Sequence, residues 1–149
     1  MIIKLEQDSA IPKGELVIKY SKLNKEITRA ITTIKSASTK VKCINDTGET
    51  FINATDIYYF ESVDKSTFVY CEKDVYKTEQ RLYQLAENLN KMGFVQISKS
   101  VILNIAVLAS LAPISNSRME ATLNNGERVC VSRNYLADIR QALEEGILR

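Results

Sequence analysis

The chain has 149 residues, 45% hydrophobic and 26% charged, with 20 basic against 18 acidic side chains and a formal charge of +2. That length holds one ordinary domain, or one domain with a short module packed beside it, and the composition is that of a folded chain rather than a disordered one. Histidine is absent, which removes Ser-His-Asp and Cys-His nucleophilic schemes, the commonest neutral-pH general base and most zinc and haem ligation patterns.

In chain order, Ile2 to Gln7 and Glu15 to Tyr20 are β-type runs separated by a turn signal at Pro12-Lys13-Gly14. From Ser21 to about Ser36, Leu23, Ile27, Ala30, Ile31 and Ile34 recur at helical spacing, predicting an amphipathic helix capped by Ser21 with its stripe toward the core. Residues 1–40 therefore read as a β-β-α module, closed by the polar stretch Ser36 to Lys40. Two hairpins follow, Lys40 to Asn45 with Glu49 to Asn53, and Asp56 to Glu61 with Thr67 to Glu72. Val75 to Lys77 is too short to assign. Thr78 is the expected cap of a helix with Leu82, Leu85, Ala86 and Leu89 as its stripe, ending near Gly93. Strands are expected at Phe94 to Ile97, Val101 to Ile105 and Val107 to Leu111. Next comes a hairpin of Arg118 to Leu123 and Arg128 to Ser132 around Asn124-Asn125-Gly126, then a helix from Asn134 to Ile147.

Cys43, Cys71 and Cys130 each lie alone in an apolar or alternating run, without zinc-type spacing, and read as reduced core residues. The N-terminus MIIKLEQDSA has no secretory pattern, and the longest apolar run, Val101 to Ala109, is interrupted by Asn104 and falls short of the ~20 residues a membrane helix needs. A cytoplasmic protein is the expectation. Between Asn88 and Met119 there is no carboxylate, while Lys91, Lys99 and Arg118 are present, so this stretch carries unopposed positive charge. Glu61 with Asp64, and Glu72 with Asp74, are close in sequence. Lacking a histidine, a Gly-rich phosphate loop or metal-ligand spacing beside them, they read as solvated loop ends, and no enzyme, cofactor or metal is expected. Asn104 is expected to bond buried backbone.

The segments FVQISKSVILNIAVLASL and RMEATLNNGERVCVSRNYLADI resemble the LytTR family of bacterial DNA-binding domains. The resemblance is carried by Phe94, Lys99-Ser100, Ile102-Leu103, Asn104, Asn125-Gly126 and Ser132-Arg133, and upstream by the strand and loop ATDIYYFESVDKSTFVY. It runs from about Val41 to the C-terminus, and several motifs in order are more specific than any one alone. It implies a mainly β fold with short helices, an elongated set of antiparallel sheets over residues 41–149 whose strand-end loops enter successive major grooves of double-stranded DNA. By the same resemblance the contact regions fall on Lys65-Ser66-Thr67, Ser98-Lys99-Ser100 and Arg133-Asn134. Lys99 and Asn134 are the expected base readers, and Lys65, Ser66, Ser100 and Arg133 the expected phosphate anchors, with guanine an alternative for Arg133.

Departures from the family pattern are specific. Relatives often carry arginine where this chain has Gln96 and Lys99, and histidine where it has Ser98 and, in some, Thr67. A different base preference and weaker phosphate attraction follow. The segment before Val41 is too short for the receiver domain that many members carry, so the closest resemblance is to small stand-alone regulators, which tend to be paired with an integral membrane protein. The expected partners are repeated DNA half-sites, a second copy of the chain forming a homodimer, and such a membrane protein. Residues 1–40 are the candidate for dimerisation or signal input.

Overall fold

A computed structural model describes residues 1–144, and the end of the helix expected to reach Ile147 lies outside them. The elements, in order, are helix α1 (Lys25–Ala37), strands β1 (Lys40–Asn45), β2 (Gly48–Asn53), β3 (Ile57–Val63), β4 (Ser66–Cys71) and β5 (Val75–Thr78), helix α2 (Leu82–Leu89), strands β6 (Phe94–Gln96), β7 (Val101–Asn104), β8 (Leu108–Ile114), β9 (Arg118–Leu123) and β10 (Arg128–Val131), and helix α3 (Leu136–Glu144). They build a seven-stranded sheet in the order β2-β1-β5-β4-β3-β7-β6 and a three-stranded sheet in the order β10-β9-β8, and every pairing is antiparallel.

The large sheet is covered on both faces. On one, Tyr59, Val101 and Leu103 pack with Ala121, Leu123 and Val131 of the small sheet and with Ile139 and Ala142 of α3. On the other, Val41, Cys43, Ile57, Phe60, Val69, Phe94 and Ile102 pack under Leu85 and Leu89 of α2. The period-2 alternation of β7 sends Val101 and Leu103 one way and Ile102 the other. In β3 that alternation breaks at a bulge between Ile57 and Tyr59. The extra residue shifts the phase, so Ile57 and Phe60, three apart, reach one core while Tyr58 and Tyr59 both pack on the other. Asn104 ends β7 as expected from its place in an apolar run. Its Nδ2 donates to the Ile57 carbonyl at 2.8 Å, and its Oδ1 accepts from the Ala106 amide at 3.0 Å.

Five readings of the sequence need correction. Among the described residues no strand precedes Lys40, so the runs at Ile2 to Gln7 and Glu15 to Tyr20 are not strands here; neither pairs with another strand, and a strand exists only against a partner. Helix α1 is capped by Asn24, whose Oδ1 accepts the Ile27 amide at 2.8 Å, rather than by Ser21. Its stripe is only half covered: Ile27, Ala30 and Ile31 are half-buried, and Ile34 is exposed. Thr78 does not cap α2, because its hydroxyl donates instead to the Lys42 carbonyl at 2.9 Å and bridges β5 to β1. The amide at the start of α2, that of Arg81, is bonded by Gln84 Oε1 at 2.8 Å. Of the three cysteines, all free thiols, only Cys43 is buried and Cys130 is exposed at the outer edge of the small sheet.

Two outcomes test this packing. Asn104→Ala strips a buried carbonyl and a part-buried amide of their partner and is expected to cost about 2–4 kcal/mol in urea unfolding. Burial pushes the Cys43 thiol up to about 11, so little thiolate exists there at neutral pH. A thiol reagent should therefore label exposed Cys130 in the folded protein and reach Cys43 only after denaturation, as peptide mass mapping would read.

Candidate nucleic-acid interface

The three segments singled out in the sequence are far apart along the chain, and backbone hydrogen bonds bring them to one end of the fold. The Ser62 amide, next to the tip of the β3–β4 hairpin, donates to the Ser100 carbonyl at 2.8 Å. The Ser132 amide, just before Arg133, donates to the Ile97 carbonyl at 2.9 Å. The β6–β7 loop thus sits in the middle of a row, flanked by the hairpin tip and by the entry to α3.

Each member of the row has a short, internally fixed mount. Asp64 and Lys65 form a two-residue turn between the paired residues Val63 and Ser66, and both have positive φ, 48° and 67°. Such a turn matches the right-handed twist of the strands, but glycine and asparagine adopt it far more readily than lysine does. Arg81 Nη1 donates to the Lys65 carbonyl at 2.9 Å, which ties the tip to the start of α2. In the middle loop, Ser98 Oγ accepts the Ser100 amide at 3.2 Å and lies 3.5 Å from Ser100 Oγ. The two serines are half-buried, and Lys99 between them is exposed. At the third position a 3₁₀ turn, Arg133–Tyr135, leads into α3, with the Tyr135 amide bonded to the Ser132 carbonyl at 2.9 Å and with Arg133 and Asn134 exposed.

The electrostatics are one-sided. Lys65, Arg81, Lys99 and Arg133 are all exposed, and among the described residues none of them takes part in an ion pair. Of the neighbouring carboxylates, Glu61 accepts from the Tyr70 hydroxyl at 3.3 Å, while Asp64 shares the turn with Lys65. Behind the row, Tyr70 stacks on Tyr59 with ring centroids 4.3 Å apart. Burial, aided by the Glu127 carboxylate, raises the Tyr59 hydroxyl pKa well above its ordinary value, so it stays neutral and supports the fold without adding charge. Among the described residues no group of His, Cys, Asp or Glu could hold a metal ion, and no helix is long and apolar enough to cross a membrane.

Seven of the eight residues expected at the site lie in this row. Thr67 does not: it is the second residue of β4, only 3% exposed, and paired with Thr78. The strand begins at Ser66 because the turn needs only Asp64 and Lys65, so the next position already faces inward. Arg81 went unnoticed in the sequence, where it stands as an isolated cation before a helix. Its only local signal is Gln84 three residues on, which marks a helix start.

The Asp64–Lys65 turn yields a test of strain. Lys65→Gly relieves the positive φ at some cost in chain entropy, with an expected net gain of about 0.5 kcal/mol. Chemical denaturation checks this; a loss of stability would show that the lysine side chain packs in a way that outweighs its backbone.

Residues 47–144 match the LytTr DNA-binding domain family. The chain is 29% identical over 92 residues to the sensory transduction protein LytT of Bacillus cereus, covering 62% of this chain and 37% of that one. It is also 29% identical over 92 residues to an HTH-type transcriptional regulator of Staphylococcus aureus, covering 62% of each. It therefore spans less than two thirds of either relative. Among solved structures, a LytTr DNA-binding domain from Bacillus cereus superimposes with a TM-score of 0.67 at 26% identity, covering 71% of this chain and 97% of that domain. With two thirds of its length matching and the antiparallel sheets and short helices in place, the chain belongs to the LytTR family, a family of DNA-binding domains rather than of enzymes.

Proposed function

We propose that this protein is a transcription regulator that binds specific sequences in double-stranded DNA, reading successive major grooves along one side of the duplex with its row of three loops. The observation that carries this reading is the hydrogen-bonded row itself, Ser62 to Ser100 and Ile97 to Ser132, which presents Lys65, Lys99 and Arg133 without an ion pair among the described residues. A line of separated cations suits a polymer with regularly spaced phosphates.

Within that reading, the side chains of the row divide by chemistry. Lys99, held out between two bonded serines, and Asn134, at the entry to α3, are suited to base edges: a lysine donates to guanine O6 and N7, and an asparagine can bond adenine N6 and N7. Lys65, Ser66, Ser100 and Arg133 are suited to phosphate oxygens, and the helix that begins beside Arg133 favours an anion there as well. Ser98 positions the Lys99 loop, and Arg81 positions the hairpin tip. Such a protein works in the cytoplasm, and a second copy on a repeated half-site would add avidity to the limited affinity of one small module.

The test is binding to a duplex selected from a random-sequence pool by the wild-type protein. Lys99→Ala and Asn134→Ala are each expected to lose about 1–3 kcal/mol and to relax preference at one base position. Lys65→Ala and Arg133→Ala are expected to weaken all duplexes alike and to lower the slope of log K against log salt by about 0.9 per phosphate lost. Lys65→Gly should bind less tightly although its fold is more stable. Unchanged binding by both Lys99→Ala and Asn134→Ala would discard the site.

A further inference from the structure

The segment before α1 is an anomaly in this fold. Its two β-type runs carry seven large apolar or aromatic side chains, Ile2, Ile3, Leu5, Leu16, Val17, Ile18 and Tyr20, and all are exposed, Leu5 at 91% and Leu16 at 70%. Among the described residues 1–23, backbone-to-backbone bonding is confined to two turns, Ile11 N–H to the Asp8 carbonyl and Glu15 N–H to the Pro12 carbonyl. Exposed, unpaired backbone carrying apolar side chains is a template for pairing with another strand.

The two runs are poor partners for each other. Setting Leu5 opposite Leu16 in a hairpin places Glu6 against Glu15, and setting Leu5 opposite Ile18 places Lys4 against Lys19. The intermediate register faces Lys4 with Ile18 and Ile3 with Lys19. Each arrangement opposes like charges or sets a charge on an apolar side chain, which destabilises a cross-strand pair.

The run Glu15 to Lys19 is instead complementary to itself. Paired antiparallel about a two-fold axis through Val17, Glu15 of one copy faces Lys19 of the other, Leu16 faces Ile18, and the two Val17 residues meet. Leu16 and Ile18 of both copies then share one face, and two Glu–Lys pairs flank the valines on the other. A shift of one residue either way sets a charge against an apolar side chain, so the pattern specifies a single register. The turn that launches the run is already formed: Gly14, at φ 86°, closes the Pro12–Glu15 turn.

We propose that residues Glu15–Lys19 form an antiparallel strand pair with the same residues of a second copy, making this segment the self-association surface of the protein. The surface lies outside the row of loops and needs no DNA. It deepens the suggestion that a second copy contributes avidity, and it is tested without any duplex present.

Sedimentation velocity over a concentration series is the experiment, on the full chain. The wild type should dimerise reversibly. Glu15→Lys and Lys19→Glu, each of which creates two like-charge pairs per dimer, should each weaken the dimer roughly tenfold. The double exchange Glu15→Lys/Lys19→Glu should restore it. An equimolar mixture of the two single variants should form heterodimers more tightly than either associates alone, because both flanking pairs become opposite in charge; the weakening by each single variant is what separates antiparallel from parallel pairing, since parallel copies already oppose like charges in the wild type. A wild type that stays monomeric, single variants that dimerise as well as wild type, or a mixture that gains nothing would each overturn the proposal. Dimers insensitive to these charges would leave a second copy in the functional reading but move its contact elsewhere.

Discussion

The structure depends on a four-residue strand. Val101–Asn104 is buried throughout, with Val101 and Leu103 in one core and Ile102 in the other. A strand gripped from both faces has no freedom of register, since a one-residue slip would exchange the two sets of side chains and expose both cores. Asn104 stops it by bonding across to Ile57 and forward to Ala106, so the chain leaves the large sheet at a defined point and enters the small one. Ser100, immediately before this strand, inherits its position. From there a backbone bond fixes Ser62, and Ile97 across the loop fixes Ser132. The alignment of three loops from distant parts of the chain is thus a consequence of core packing.

Strain and support sit side by side at the hairpin tip. Lysine at a positive φ costs about 1–2 kcal/mol relative to its ordinary conformations, and backbone strain persists only where surroundings enforce it. The surroundings here are the register of β3 with β4 and the Arg81 guanidinium on the Lys65 carbonyl. Arg81 opens α2, whose Leu85 and Leu89 anchor in the core beneath. The tip is therefore braced from a helix as well as from its own strands.

Much of this was legible in the sequence, for identifiable reasons. Alternation and turn chemistry located both early hairpins and the Asn124-Asn125-Gly126 hairpin, while 3.6-residue spacing located all three helices, because those signals are local. What failed were decisions that local signals leave open. The runs before α1 have strand composition but no partner within the chain. Val75–Thr78 is short, yet it lies in the middle of the large sheet between β1 and β4, where neighbours on both sides supply its hydrogen bonds. Strand β8 continues to Ile114 through Pro113 because it is an edge strand, where a missing amide is tolerated. For the site, the family pattern gave positions, but inside or outside at Thr67 hung on where a two-residue turn ends, and Arg81 became visible only when the fold set it beside Lys65.

The loops of the row are short: two residues at the hairpin tip and four in the β6–β7 connection, both tied by hydrogen bonds to their own frame. Such mounts leave little backbone to immobilise, so the binding proposed for this surface would resemble rigid docking more than coupled folding. They also constrain how the surface can diversify. Adding a residue to the tip would undo the turn geometry and the strand register together, whereas exchanging a side chain at Lys99 or Asn134 disturbs neither. A change of target in this lineage is therefore expected to proceed by substitution at fixed positions rather than by insertion or deletion in the loops.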